Sequence, residues 1–378
     1  MVLRLARSPL PRLRACAPTL DERTEMTSTL FDRLRPIGFT PAFAAAFDAA
    51  AGEGAWPARV IEIQRETVAL DDGEATVGAR LHPHLAQALA GSGDDLAVGD
   101  WVAAMRDRHG DTWVHSRLPP ASTLARVDSD GRRRVLVANV DAAFIVMGLD
   151  GDFNPRRAER YLALVQGAGV WPVIVLTKLD CVTRPEPAIE ALRNRIPEAV
   201  PIEPVNATAP DAARALAPHL GAGQTAVLLG SSGAGKSTLT NTLLGRVVQS
   251  TGAVRGDDSR GRHTTRSRTL HRLPGGACLI DTPGLRGLRI DLDETQLAAS
   301  FADIAGLAQR CRFRDCRHGD EPGCAVRDGV AADRLRNFHK LGREIQREQM
   351  TFLERRRQLA QWKARGRAAE QRMKLKRG

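Results

Sequence analysis

Residues 230–238 read GSSGAGKST and place glycine, lysine and hydroxyl side chains at the spacing G-x-x-x-x-G-K-S. Gly230 and Gly235 allow a tight turn in which successive backbone N–H groups point at one anion. Lys236 can reach the β- and γ-phosphates of a nucleotide, and the Ser237 hydroxyl can bind Mg²⁺. Apolar runs on either side predict a strand and a helix, whose N-terminus adds partial positive charge. A glycine-rich turn without a ligand is the alternative. The predicted phosphate loop consists of Gly230, Ser231, Ser232, Gly233, Ala234, Gly235, Lys236, Ser237 and Thr238.

Three further short motifs, each after an apolar run, indicate which nucleotide binds. Residues 281–284 fit D-x-x-G, in which Asp281 holds Mg²⁺ through water and the Gly284 N–H meets the γ-phosphate. Residues 177–180 read TKLD and are similar to the guanine-reading element N-K-x-D. A carboxylate at Asp180 accepts hydrogen bonds from N1–H and N2–H₂ of guanine together, a pair of donors that adenine lacks. Asn206-Ala207 is similar to the S-A element that closes over the base. The predicted guanine-binding residues are Thr177, Lys178, Leu179, Asp180, Asn206 and Ala207.

The order of these motifs is unusual, because the guanine-reading element precedes the phosphate loop. This order predicts a circularly permuted G domain. Together with GRHTT at residues 261–265 and a later Cys/His cluster, it resembles the bacterial ribosome small-subunit-dependent GTPase A (RsgA) family, from about residue 30 to the C-terminus. Two positions depart from the family pattern: Thr177 stands where Asn is usual, and Asn206 where Ser is usual. Both keep a hydrogen-bonding side chain, so they bear on the affinity for guanine more than on its identity.

The Cys/His cluster has the spacing Cys311-x₄-Cys316-x-His318-x₅-Cys324. Three thiolates and one imidazole match the ligand sets of structural, four-coordinate Zn²⁺ sites. The spacing differs from the common C-x₂-C knuckle, and buried thiols beside a surface histidine are the alternative. The family resemblance implies one structural Zn²⁺ on these four residues. The other three cysteines are scattered, which favours a reducing compartment over a disulfide framework.

Residues 259–266, between the phosphate loop and D-x-x-G, are polar and basic and predict a mobile switch I loop. Thr264 or Thr265 is expected to complete the Mg²⁺ shell when the γ-phosphate is present. Ras-type GTPases orient the attacking water with a glutamine just after D-x-x-G, where this chain has Leu285. His263 is therefore the candidate catalytic residue, since an imidazole can accept a proton from water near neutral pH. A solvated arginine-rich loop without chemistry is the alternative.

The apolar pattern predicts an α/β fold with flanking modules. Strands alternating with helices predict a mostly parallel sheet with helices on both faces, in which residues 135–147 form one long strand. Nucleotide sites on such sheets lie at the C-terminal ends of the strands. Short period-two runs between residues 56 and 118 predict a small β-barrel, which the resemblance makes an OB-fold; a passive packing module is the alternative. The predicted units are an extension and lead-in (1–54), the OB-fold (55–120), the permuted G domain (123–290) and a zinc-binding helical domain with a basic tail (291–378).

The charge balance indicates a polyanionic partner. The formal net charge is +11, and aromatic residues make up only 4% of the chain, so contacts to phosphates are favoured over base stacking. Residues 343–378 hold twelve lysines and arginines against four glutamates, which predicts a helix that contacts RNA or, alternatively, a solvated helix face.

Residues 1–25 have two interpretations: a transit peptide, or a segment that arises from an upstream start codon when translation truly begins at Met26. We favour the second. The chain has no apolar run long enough for a transmembrane helix.

The resemblance implies a GTPase that hydrolyses GTP to GDP and phosphate with Mg²⁺, is stimulated by the small ribosomal subunit and its rRNA, acts late in 30S maturation and leaves after hydrolysis. It also implies a cytoplasmic monomer that binds no membrane. Two alternatives remain from the residues alone. One is a P-loop ATPase or small-molecule kinase, against which Asp180 argues. The other is an RNA-binding scaffold whose G domain binds nucleotide without turnover.

Overall fold

The computed structural model describes residues 30–65, 67–127, 132–249, 268–282 and 293–349, in which strands alternate with short helices. The strands are β1 (Trp56–Gln64), β2 (Thr67–Asp71), β3 (Thr76–Leu81), β4 (Trp101–Arg106), β5 (Thr112–Arg117), β6 (Thr123–Val127), β7 (Arg133–Ala138), β8 (Ala142–Gly148), β9 (Trp171–Thr177), β10 (Ile202–Pro204), β11 (Thr225–Leu229), β12 (Thr269–Arg272) and β13 (Cys278–Asp281). The helices are α1 (Pro41–Ala50), α2 (Pro83–Ser92), α3 (Pro155–Gly167), α4 (Glu186–Arg193), α5 (Asp211–Leu216), α6 (Lys236–Leu244), α7 (Glu294–Ser300), α8 (Ala302–Ala308), α9 (Ala325–Gly329) and α10 (Ala332–Gln349).

The first five strands form a closed barrel. Their order is β1-β2-β3-β5-β4, and β4 pairs back onto β1 so that no open edge remains between them. Alternate residues such as Val68 and Leu70 on β2 point into the barrel core, because successive side chains on a strand face opposite sides. Helix α2 follows β3 and packs Leu85 and Leu89 into the same core. This is the OB-fold that the resemblance implied.

The G domain is built on a sheet in which β10-β9-β8-β11-β13 are parallel and β12 is antiparallel to β13. Every residue of β8 is buried, because the sheet is covered on both faces. Ile145 faces the core that contains α3, and Phe144 faces the core that contains α6. The predicted mostly parallel sheet with helices on both faces is confirmed. In the described residues β12 also pairs with β1, so the barrel and the G domain share one eleven-stranded sheet.

The prediction of one long strand over residues 135–147 is wrong. The segment forms β7 and β8, and β7 instead pairs with β6 in a separate two-stranded sheet. The chain turns at Asn139, which has a left-handed backbone (φ 54°), a conformation that Asn tolerates better than most residues. The Asn139 side chain fixes the corner by donating to the Gly99 carbonyl (3.0 Å) and accepting from the Ala121 N–H (2.8 Å). Polar contacts between Asn139 and residues distant in the chain therefore end the first strand, and an argument from apolar periodicity does not detect them.

The C-terminal helices pack against α3 through buried charges. Arg334 of α10 is 5% exposed and donates to Glu159 of α3 (2.7 Å), which is 3% exposed. The same guanidinium donates to both carboxylate oxygens of Asp303 on α8 (2.8 and 2.7 Å). These contacts attach the C-terminal helices to the G domain. Among the described helices, none has the length and apolar character needed to cross a bilayer.

A single buried guanidinium joins four segments of the fold. Arg59 on β1 is 1% exposed, and it donates to the Thr225 hydroxyl on β11 (2.8 Å) and to the Ile37 carbonyl in the lead-in. It also donates to the carbonyls of Asn139 (2.8 Å) and Gly99 (3.3 Å). Buried carbonyls need such partners, because an unsatisfied polar group in the interior is costly. Arg59 therefore holds the lead-in, the barrel and the G-domain sheet together.

We predict that Arg59→Met destabilises the whole chain, because the apolar side chain removes the guanidinium donor from the buried carbonyls of Ile37 and Asn139 and from the Thr225 hydroxyl. The free energy of unfolding should fall by about 3–5 kcal/mol. Thermal unfolding followed by circular dichroism measures the change. Arg80→Met is the matched control, since Arg80 is exposed on β3, and it should shift stability by less than about 0.5 kcal/mol. Equal melting temperatures for the two variants would contradict the role given to Arg59.

Candidate nucleotide site and metal centre

The predicted nucleotide-binding residues that the structure describes meet at the C-terminal edge of the parallel strands. Thr177 ends β9, Gly230 follows β11 directly, and Asp281 ends β13. The loop after β10, which carries Asn206 and Ala207, is joined to this edge by two hydrogen bonds. The Leu179 N–H donates to the Val205 carbonyl (3.3 Å), and the Thr242 hydroxyl of α6 donates to the Ala207 carbonyl (2.6 Å). His263, Thr264, Thr265 and Gly284 lie outside the described residues.

The phosphate loop is shaped by close backbone approaches. A Cβ at Gly230 would lie 2.3 Å from the Val146 carbonyl oxygen of β8, so only glycine fits there. Gly235 has φ 90°, which other residues rarely adopt. Lys236 begins α6 and is 6% exposed; its Nζ donates to the carbonyls of Gly230 (3.0 Å) and Ser231 (2.7 Å). Burial lowers the pKa of Lys236 to about 8, and nearby Asp281 opposes that shift. The ammonium thus lies inside the loop, where phosphate oxygens could replace its carbonyl partners.

The Asp281 carboxylate fits a divalent cation. It is 1% exposed, and its Oδ2 has no hydrogen-bond partner among the described residues. Burial raises the pKa of Asp281 to about 6, while the charge of Lys236 lowers it. Oxygen ligands of this kind suit Mg²⁺, which usually keeps several waters beside one or two protein ligands. The half-buried Ser237 lies one residue after Lys236 and offers a hydroxyl from the first turn of α6.

The predicted guanine-binding residues divide into exposed and buried groups. Asp180 is exposed in a short 3₁₀ helix, Leu179–Cys181, after β9. Thr177 is fully buried, and its hydroxyl donates to the Ala234 carbonyl of the phosphate loop (2.6 Å). Thr177 therefore connects two loops. The Asn206 side chain caps its own loop, accepting from the backbone N–H (3.0 Å) and hydroxyl (2.7 Å) of Thr208.

Two carboxylates in the loop after β8 belong to this site and were missed from the sequence. Asp152 accepts from the Ser231 hydroxyl of the phosphate loop (2.6 Å) and pairs with Arg157 (2.7 Å). Asp150 pairs with the Lys178 ammonium (2.6 Å). Both follow an apolar strand at the same edge of the sheet as Asp281. Their position directly after an apolar strand was the one signal in the sequence that could have identified Asp150 and Asp152 as site residues, but the two aspartates fit no named motif.

The four predicted metal ligands converge in space. One ligand atom each from Cys311, Cys316, His318 and Cys324 lies within 4.8 Å of the others. The His318 Nδ1 is 3.6 Å from the sulfurs of Cys311 and Cys324, which are 4.0 Å apart. A tetrahedral ion with metal–sulfur bonds of about 2.3 Å needs ligands separated by roughly 3.5–3.8 Å. A disulfide would need sulfurs about 2.05 Å apart. The cluster therefore suits one metal ion.

We predict that Thr177→Val weakens nucleotide binding while preserving the fold. Valine keeps the branched shape but leaves the Ala234 carbonyl without its donor, at a cost of about 1–2 kcal/mol. GTP and GDP affinities should both fall on the order of tenfold, as measured by calorimetry. Thr76→Val, at an exposed end of β3, is the control and should leave both affinities unchanged. Wild-type affinities in Thr177→Val would mean that the hydroxyl does not hold the phosphate loop.

Comparison with solved structures shows the same fold in two other proteins. The crystal structure of YjeQ from Thermotoga maritima aligns with a TM-score of 0.57 and 22% identity, covering 77% of this chain and 98% of that one. YloQ, described as a circularly permuted GTPase, aligns with a TM-score of 0.53 and 21% identity, covering 80% of this chain and 99% of that one. At these identities the likeness concerns the fold alone.

Sequence comparison gives nearer relatives. A protein of Xanthomonas axonopodis pv. citri (strain 306), named small ribosomal subunit biogenesis GTPase RsgA, is 46% identical over 332 residues, which cover 84% of this chain and 90% of the relative. A protein of the same name from Xanthomonas euvesicatoria pv. vesicatoria (strain 85-10) is 47% identical over 304 residues, covering 78% of this chain and 82% of the relative. The family model described as RsgA GTPase matches residues 117–291. With this identity over most of its length, the chain belongs to the RsgA GTPase family.

Proposed function

We propose that this protein hydrolyses GTP to GDP and phosphate during biogenesis of the small ribosomal subunit. The observation that carries the proposal is the meeting of the phosphate loop, Asp180 and Asp281 at one edge of the permuted sheet, joined by the contact of Thr177 with Ala234. The relatives that cover most of this chain bear the name of that activity. The permuted order and the site geometry together favour this function over a general P-loop kinase.

Each residue of the site has a role in the proposed reaction. Backbone N–H groups of the phosphate loop and Lys236 bind the phosphates, and Asp180 selects guanine through its N1–H and N2–H₂ donors. Ser237 and Asp281 would hold Mg²⁺, which supplies neutralisation of the charge that develops on the phosphates. Asn206 and Ala207 form the loop beside the base. Asp152 positions Ser231, since it accepts from that hydroxyl.

Water activation is assigned to His263 in the proposed mechanism. The support is chemical: Leu285 follows the D-x-x-G motif and cannot orient water, whereas His263 is the imidazole beside the threonines proposed to complete the Mg²⁺ shell. The unaided chain is then a slow GTPase. The small subunit and its rRNA accelerate it by ordering the loop around His263, which shifts a population rather than adding chemistry. Loss of the γ-phosphate favours release of the subunit.

The test is GTP turnover by the full chain with and without purified small subunits. We predict a stimulation on the order of 10²-fold, smaller than when a partner also adds an arginine. His263→Ala should keep GTP affinity and lose most of the stimulated rate. His219→Gln is the control, because His219 pairs with Glu203 (2.8 Å) and belongs to none of the predicted nucleotide-binding motifs.

Three other outcomes have distinct meanings. Wild-type stimulation in His263→Ala would place the water-positioning group elsewhere. Preference for ATP in competition would favour an ATPase or kinase. Absence of turnover in both conditions would favour a scaffold that only binds nucleotide.

The Cys/His cluster is proposed to hold one structural Zn²⁺. Sulfur-rich, four-ligand sets suit zinc and leave no open position for a substrate. Cys324 is buried, and its sulfur accepts from the Arg327 N–H (3.4 Å) at the start of α9. The ion would therefore hold the loop before α9 against the rest of the C-terminal helices.

We predict about one equivalent of zinc in the purified protein, measured by elemental analysis. Cys316→Ala should lose the metal and make the C-terminal helices sensitive to protease, while GTP binding survives because the nucleotide site lies in the G domain. Cys181→Ala is the matched control for zinc content and protease resistance, since Cys181 is an exposed free cysteine outside the cluster. A metal-free protein with protease-resistant C-terminal helices would refute the structural role of the zinc.

A further inference from the structure

A groove of about 510 Å³ runs between α3 of the G domain and α10 of the C-terminal region. No acidic residue is among the described residues that line it. Asn154, which caps α3 by accepting from the Arg157 N–H (3.2 Å), is one of the lining residues, so the N-terminus of α3, the positive end of its dipole, borders the groove. We call it the basic groove; its cationic lining residues are Arg156, Arg157, Arg160, Arg336, Lys340 and Arg343.

The positive charge of the basic groove is only partly balanced by the protein. Acidic residues outside the lining pair with four of its cations: Asp333 with Arg156 and Arg336, Glu344 with Arg160, and Asp152 with Arg157. Lys340 and Arg343 are exposed and form no ion pair with the residues that the structure describes. The groove therefore carries an excess of about three positive charges in the described part of the chain, available to an anionic ligand.

The cationic side chains form a row, and a row of cations fits a chain of phosphates better than a single anion. Arg336, Lys340 and Arg343 have the spacing i, i+4, i+7 and share one face of α10. At 1.5 Å per residue, this row is roughly 10 Å long. A duplex strand presents one phosphate per about 3.4 Å of axis, so the row spans several phosphates.

The groove offers little to a base. The aromatic lining residue Tyr161 is only 3% exposed, so its ring cannot serve as a stacking platform. The imidazole of His339 is half-buried and contacts the His318 carbonyl (3.3 Å). The C-terminal segment of the chain itself is also a poor occupant: residues 350–378 hold ten lysines and arginines against two glutamates, the same sign as the groove.

We propose that the basic groove binds the phosphate backbone of RNA without reading its sequence. The choice of RNA among polyanions rests on the proposed function in small-subunit biogenesis. The groove is connected to the phosphate loop through side-chain contacts. Arg157 lies in the groove and also pairs with Asp152, which accepts from Ser231 of the phosphate loop (2.6 Å). RNA in the groove therefore lies two side chains from the nucleotide loop.

The test measures binding of the full chain to a labelled, mixed-sequence RNA hairpin over a series of KCl concentrations. The double variant Lys340→Glu/Arg343→Glu should bind on the order of tenfold or more weakly, and its log–log salt slope should be smaller by about two, one for each lost phosphate contact. Arg214→Glu is the control, because Arg214 is exposed on α5, whose buried residues pack on the opposite face of the sheet from α3. Its affinity and slope should match the wild type. Zinc content and thermal unfolding verify that both variants fold.

Two results would overturn the proposal. One is a wild-type salt slope in the folded double variant, which would mean that RNA binds elsewhere. The other is loss of inorganic phosphate binding in the double variant with RNA binding unchanged, which would make the groove a small-anion site. Neither readout uses GTP turnover, so failure of the proposed GTPase activity would be seen separately.

Discussion

The parallel pairing of β11 with β8 on one side and β13 on the other is the constraint on which the candidate nucleotide site depends. Parallel strands deliver their C-terminal ends to one edge, and loops leaving that edge must share the same space. The close approach of Gly230 to the Val146 carbonyl, where a Cβ would lie at 2.3 Å, is a direct consequence of this pairing. The order in which the chain visits the strands does not enter the geometry. Circular permutation therefore leaves the site intact while moving the chain termini and the attached modules.

Those modules are attached by buried polar contacts, and the contacts limit how they can move. Glu159 and Arg334 form a nearly fully buried pair between α3 and α10. Breaking such a pair leaves an uncompensated charge and costs about 3–5 kcal/mol. In the order of the chain, the C-terminal region that carries α10 comes directly after the D-x-x-G motif. The buried pair indicates that this region would move together with α3, so a change at the nucleotide would be transmitted to both sides of the basic groove.

The barrel is connected to the G domain mainly by strand pairing, whereas the C-terminal helices are attached by buried ion pairs. Its β1 pairs with β12 at Glu62 and Thr269, and β12 in turn pairs with β13, whose last residue is Asp281. Arg59 on the same strand bonds to Thr225 at the start of β11. The barrel is thus bonded directly to β11, which precedes the phosphate loop, and through β12 to β13, which precedes D-x-x-G. A partner that shifts the barrel would act on the nucleotide site through continuous backbone pairing.

The sequence by itself determined the elements whose signal is local. The phosphate loop, the D-x-x-G aspartate and the four cysteine and histidine ligands have fixed spacings because one short segment must perform one task, and the buried strands show as apolar runs. It could not determine the break at Asn139, the contact of Thr177 with Ala234, the part played by Asp152, or the basic groove. Each of these depends on residues far apart in the chain meeting across strand ends or helix faces. Arg59 illustrates the reason: an arginine in a strand reads as solvent-exposed, and only the convergence of four carbonyl and hydroxyl oxygens from distant segments makes its burial favourable.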